Sequence, residues 1–226
     1  MENYPVSIYL NSRINYIQSQ GNIECCTASA TLLAAEMLYS NSNNTKFSRL
    51  YLYYMTRKLQ GSLGEPGADL SYTLKALTEF GVPAENFWPF IDCNKEKMPD
   101  IRAQTEAAYY KLASYTRIST EEYKYYLTRN VPIIIGMQTG RMFWRLSGKL
   151  ETQKYDPVDN LSNTVSTGHA VLIVGYDDSI NGGSWIIANS VGPKWGFRGF
   201  GAISYKCNVD IGESYIINKF AGISSV

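Results

Sequence analysis

Gly168-His169-Ala170-Val171-Leu172-Ile173-Val174-Gly175-Tyr176 carries the single histidine of this 226-residue chain. Its β-branched run predicts a buried strand with the imidazole at its start. Upstream, Gln20-Gly21-Asn22-Ile23-Glu24-Cys25-Cys26-Thr27-Ala28 puts a thiol where an Ala/Leu-rich helical pattern begins. Downstream, Asn189-Ser190 ends a second apolar strand, Trp185-Ile186-Ile187-Ala188. A thiol, an imidazole and a side-chain amide, each at the edge of a regular element, are the parts of a cysteine nucleophile, its base and the group that orients the base.

Around those motifs the chain changes period. Residues 26–39 have helical spacing and stop before the polar loop at 40–44. Ser48 caps a second helix with an apolar stripe of Tyr51, Tyr54, Met55, Lys58 and Leu59, ended by Gly61. Asp69 is the expected N-cap for residues 70–80, with Gly81 beyond. Residues 101–113 continue the helical pattern, and Ser119 with Glu122 opens a short helix through Arg129. Strands are expected at 131–137, 169–176, 184–188, 200–205 and 214–218. Helices first and strands second predict an α+β fold, divided near residue 113 into a mainly helical part, 1–113, and a mainly β part, 114–226.

Composition narrows the function classes. Hydrophobic residues make up 45% and charged residues 18%. A net charge of +1 gives no reason to expect nucleic acid or an anionic membrane as partner. No run approaches a bilayer span, and no signal peptide is visible, so a cytoplasmic or pathogen- or virion-delivered protein is expected. Cys25, Cys26, Cys93 and Cys207 are too few and too scattered for a disulfide framework or a zinc site. A Cys93–Cys207 bridge stays open from sequence, with free thiols as the expected state. No metal and no cofactor is expected.

The blocks resemble, in order, those of the papain-like cysteine peptidases. Gln20 stands six positions before Cys26, Gly168-His169-Ala170-Val171 matches the histidine block, and Asn189, Ser190, Gly192, Trp195 and Gly196 match the asparagine block. Gly64-Glu65-Pro66-Gly67-Ala68-Asp69 and the Asn130-Val131-Pro132 strand start are similar as well. The resemblance implies two lobes, one helical and one an antiparallel β-barrel-like lobe, with Cys26 and His169 on opposite walls of a cleft. It also implies the roles: Cys26 as nucleophile, His169 as base, Asn189 as its orienting group, and Gln20 as an oxyanion donor. Gly67 and Ala68 would pair with an extended peptide. Leu70, Met137 and Ala170 would line the main specificity pocket, and Trp195 would wall the leaving-group side. The expected partner is a peptide or protein substrate, with room for a proteinaceous inhibitor or regulator.

Each of these residues taken alone also suits a plain structural role, and Cys25 is a rival nucleophile. The sequence departs from the family at three places. Ile23 stands where many members have a framework cysteine, Glu24 where glycine is usual, and Val191 where a tryptophan shields the Asn–His pair. A long inhibitory N-terminal segment is not expected. Beside the peptidase, two other functions fit the same residues: a catalytically weakened papain-like scaffold that binds peptides or a protein partner, and acyl transfer on the same thiol.

Overall fold

Residues 169–176 are buried without exception, so this strand has no polar face and must be covered on both sides. It lies within a computed structural model that describes residues 3–39, 45–144, 167–206 and 211–222. The expected loop at 40–44 and Cys207 fall outside the described residues. In chain order the elements are β1 (Ser7–Tyr9), α1 (Cys26–Leu38), α2 (Arg49–Gln60), α3 (Leu70–Glu79), α4 (Ile101–Ala107), β2 (Tyr110–Arg117), α5 (Tyr123–Leu127), β3 (Ile133–Thr139), α6 (Arg141–Trp144), β4 (Thr167–Asp177), β5 (Ser184–Ala188), β6 (Phe200–Ser204) and β7 (Ile211–Gly222). The architecture is α+β.

Two compact units share the chain: residues 1–21 with 117–216, and residues 22–116 with 217–226. The chain passes from the second unit to the first at 116/117. The chain crosses again at 21/22 and at 216/217, the latter inside β7.

In the first unit β4 is central and antiparallel to its neighbours. β3 pairs with it from Ile133↔Ile173 to Thr139↔Thr167, and β1 continues that side with Tyr9↔Gly175. β5 flanks the other side, β6 follows β5, and β7 lies outside β3. The path β7-β3-β4-β5-β6 is open rather than a closed ring among the described strands. A register shift between Ile173 and Gly175 sends the Val174 carbonyl to Leu10, whose N–H reaches it at 2.7 Å. Gly175 is required there because a Cβ would lie 2.1 Å from the Ile8 carbonyl oxygen.

The second unit packs α1 against α2 and α3. Ala28, Ala30, Leu32, Ala34, Ala35 and Met37 of α1 are all buried, and small side chains on most of its surface suit a helix covered nearly all round. Ser48 caps α2 by accepting the Tyr51 N–H at 3.2 Å, and Gly61 ends the helix in the left-handed region at φ 76°. Two expectations change here. Asp69 precedes α3, but its side chain makes no cap bond; its carbonyl accepts from the Thr73 N–H and hydroxyl. The segment expected to be helical to 113 stops at Ala107 and becomes β2, which lies beside β7; Asn218 Nδ2 donates to Thr116 Oγ1 at 2.7 Å. Sheet pairing outweighs the weak helical preference of an Ala/Tyr-rich stretch.

Gly175→Ala should lower stability by about 3 kcal/mol through the clash with Ile8. Gly168→Ala, on the same strand with open space at its Cβ, should stay within about 0.5 kcal/mol of the parent. Urea midpoints of the two variants check the contrast.

Candidate active site

β4 carries the imidazole on its third residue: His169 opposes Met137 on β3, and Ala170 opposes Gly136. His169 is 6% exposed. Its Nε2 lies 2.8 Å from Asn189 Oδ1, at the end of β5. The proton can be assigned from the bonding pattern. The Ser190 backbone N–H also donates to Asn189 Oδ1, at 2.8 Å, so that atom must be the amide oxygen. An oxygen can only accept; Nε2 therefore carries the hydrogen, and Nδ1 is the basic nitrogen of the neutral ring. Burial pushes the His169 pKa down to about 4, against a smaller opposing effect of the Asn189 hydrogen bond.

Gln20 belongs to the same constellation. Its backbone N–H donates to the Ser190 carbonyl at 2.7 Å, and Ser19 bridges Val191. The Ser190 hydroxyl donates to Gln20 Oε1. With Oε1 so held, the side-chain amide turns its NH2 the other way. Ser190, which sequence reasoning left without a role, thus connects Gln20 to Asn189 and through it to His169.

Two aromatic residues were missed as well. Phe143 and Trp144, at the end of α6, place ring centroids 5.7 Å and 4.8 Å from that of His169. Trp195 stacks 5.0 Å from Phe143 and donates its Nε1–H to the Phe143 carbonyl at 2.8 Å. Trp195, Met137 and Ala170 are all buried. The signal available was the aromatic pair Phe143-Trp144 itself, which has no helical or strand period to assign it a face.

In the second unit Cys26 is the first residue of α1 and is half-buried. The unpaired N–H groups of a first helical turn and the helix dipole favour an anion at that position. Cys25 before it is fully buried, with its thiol 3.7 Å from Ser29 Oγ. Burial pushes the Cys25 thiol up to about 11, against the lowering effect of Arg49. The two adjacent thiols therefore sit in different surroundings, one fully buried and one half-buried at a helix start. Cys93 is exposed and free.

Gly67, at φ 80°, donates its N–H to the Tyr53 hydroxyl at 3.2 Å. Ala68 beside it is half-buried and Leu70 is buried at the start of α3. Tyr53 is held in turn by Arg57, whose guanidinium lies 4.2 Å over its ring. Arg57 is buried and donates to the Lys95 carbonyl at 2.6 Å, the Glu65 carbonyl at 3.3 Å and the Glu96 carboxylate at 3.2 Å. The helix stripe expected to include Lys58 thus buries Arg57 instead and leaves Lys58 exposed. A cavity of about 150 Å³ opens beside it, lined by Glu24, Tyr53, Arg57, Glu65, Lys95 and Glu96 among others. Among the described residues no cluster of His, Cys, Asp or Glu is arranged to hold a metal ion.

Comparison with known proteins gives this arrangement a family. Residues 8–219 match the family described as papain family cysteine protease. An uncharacterized peptidase C1-like protein of Acanthamoeba polyphaga mimivirus is 30% identical over 205 residues, covering 84% of this chain and 65% of the viral protein. A cathepsin L-like proteinase of Fasciola hepatica is 25% identical over 193 residues, covering 83% of this chain and 56% of that protein. The chain therefore spans somewhat less than two thirds of the length of these relatives. Among solved structures, xylellain, a cysteine protease from Xylella fastidiosa, superposes with a TM-score of 0.83 at 27% identity, covering 95% of this chain and 86% of that one. The digestive procathepsin L 3 of Tenebrio molitor shares the fold at a TM-score of 0.74 and 20% identity, covering 95% of this chain and 70% of that one. This chain belongs to the papain family of cysteine proteases.

Proposed function

We propose that the protein is a cysteine peptidase that cleaves peptide or protein substrates through Cys26, His169, Asn189 and Gln20. The observation that carries the reading is the His169–Asn189 hydrogen bond, because it leaves Nδ1 as the nitrogen able to take a proton. In the proposed reaction Nδ1 accepts the Cys26 thiol proton, and the thiolate sulfur attacks the substrate carbonyl carbon. The oxyanion that forms accepts hydrogen bonds from the Gln20 side-chain NH2 and the Cys26 backbone N–H. His169 then passes its proton to the leaving amine nitrogen, the C–N bond breaks, and water hydrolyses the thioester with the same imidazole as base. Cys26 is preferred over Cys25 because a fully buried thiol with a pKa near 11 supplies almost no thiolate at neutral pH. Extended substrate would align against the Gly67 carbonyl and Ala68.

Cys26→Ala and His169→Ala should each lower peptide hydrolysis by at least about a thousandfold, since the two groups act as a unit. Cys25→Ala should keep most activity. An electrophilic peptide epoxide should modify Cys26 rapidly in the parent and slowly in His169→Ala. Slow modification of the parent would instead identify a scaffold that binds peptides without cleaving them.

The buried imidazole also predicts a pH dependence. An unfolded histidine titrates near 6.5, and the folded value is depressed to about 4. The unfolded chain therefore binds more protons in that window. The stability contribution is complete above pH 6.5 and is lost as pH falls toward 4, by about 3 kcal/mol in all. Urea unfolding of Cys26→Ala should show this loss between pH 6.5 and 4, and Cys26→Ala/His169→Phe should not. In the parent, a Cys26 thiolate facing the ring would favour the imidazolium and make the loss smaller. Parallel curves for all three proteins would remove both the buried neutral histidine and its ionic partner.

A further inference from the structure

His169 is 6% exposed, whereas Trp144, with its ring centroid 4.8 Å from the imidazole, is 41% exposed. The indole is thus partly wet and packed beside a buried imidazole. Its position is not left to a loose surface rotamer alone. The preceding residue, Phe143, is fully buried, lies 5.7 Å from the same imidazole and accepts the Trp195 Nε1–H on its carbonyl at 2.8 Å. The backbone that carries Trp144 is therefore tied into the core one residue away.

The imidazole beside the indole makes a hydrogen bond open to competition by water. Asn189 Nδ2 is buried with no hydrogen-bond partner, while Oδ1 of the same amide takes both the His169 Nε2–H and the Ser190 N–H. Water entering here would satisfy Nδ2 and then compete for Oδ1. In a dry, low-dielectric setting the existing bond is stronger and more directional than in water. Burial and the Asn189 contact are the influences on the basicity of this ring among the described residues.

We propose that Trp144 is a positioning residue whose indole keeps water from the His169–Asn189 hydrogen bond and so fixes the orientation and tautomer of the imidazole. Its consequence for turnover rests on the peptidase reading above; the shielding itself does not. The indole and imidazole planes cross at 60°, a ring contact that a smaller aromatic side chain can keep in part.

Because the chain has one histidine, 15N-labelled histidine gives one imidazole spin system, and its Nε2–H exchange with water reports the shield directly. Exchange should be slow in the parent and at least about tenfold faster in Trp144→Ala and Trp144→Gln, with Trp144→Phe close to the parent. On a peptide substrate, Trp144→Ala should lose roughly tenfold in kcat with KM within about twofold, the pattern of an interaction lost in the transition state. Thermal melting of each variant identifies any that fails to fold, and either the Ala or the Gln variant is sufficient. Exchange at the parental rate in a folded Trp144→Ala or Trp144→Gln overturns the proposal, even where kcat falls. A parent that neither hydrolyses peptides nor reacts at Cys26, yet shows the predicted exchange pattern, overturns the peptidase reading and leaves the shield established.

Discussion

One oxygen atom organises the histidine side of the site. Asn189 Oδ1 has two lone pairs and both are used, one by the His169 Nε2–H and one by the Ser190 backbone N–H. The second bond decides what the first can be, because a flipped amide would set NH2 against N–H. From that constraint follow the tautomer of His169 and the identity of its basic nitrogen. Ser190 extends it further, since its carbonyl and hydroxyl hold the backbone and side chain of Gln20. A residue with no charge and no reactive group thereby sets three others.

That arrangement explains why the first twenty-one residues belong with the sheet rather than with the helices that follow them. Tyr176 donates its hydroxyl hydrogen to the Pro5 carbonyl at 2.7 Å, β1 pairs with the end of β4, and Ile17 packs where Gly199 has no side chain. Each contact is long in sequence and short in space. Together they carry the chain to Gln20 from the β side, and Cys26 opens the first helix of the other unit only a few residues later. The C-terminal strand does the converse, leaving the first unit within β7.

Much of this was legible in the residues and some was not, for physical reasons. β4 and β5 were readable because an apolar run bounded by Gly, Asn and Asp has few other solutions. α2 was readable at both ends because Ser48 and Gly61 act on their own neighbours. His169 and Asn189 were visible at the start of one apolar strand and the end of another, and the structure brings these two together. The first half of β2 was misread as helix because its conformation is set by a strand a hundred residues away. Arg57 escaped notice because an arginine on a helix normally points to water; here the carbonyls of Glu65 and Lys95, contributed by distant turns, make burial affordable. Phe143 and Trp144 showed no period at all, and only the folded chain reveals which ring they meet.

The depth of Cys25 has a redox consequence. Adjacent cysteines can close on themselves as a strained vicinal disulfide, which would consume the Cys26 sulfur. Forming it requires one sulfur as thiolate and both within bonding reach. The Cys25 sulfur is directed into the interior toward Ser29 and stays protonated well above neutral pH. Mild oxidation of Cys26 would therefore meet a small molecule or solvent before it met its neighbour, and the sulfenic acid so formed would remain open to reduction by an external thiol. The burial that keeps the Cys25 thiol protonated also keeps it from closing on the residue beside it.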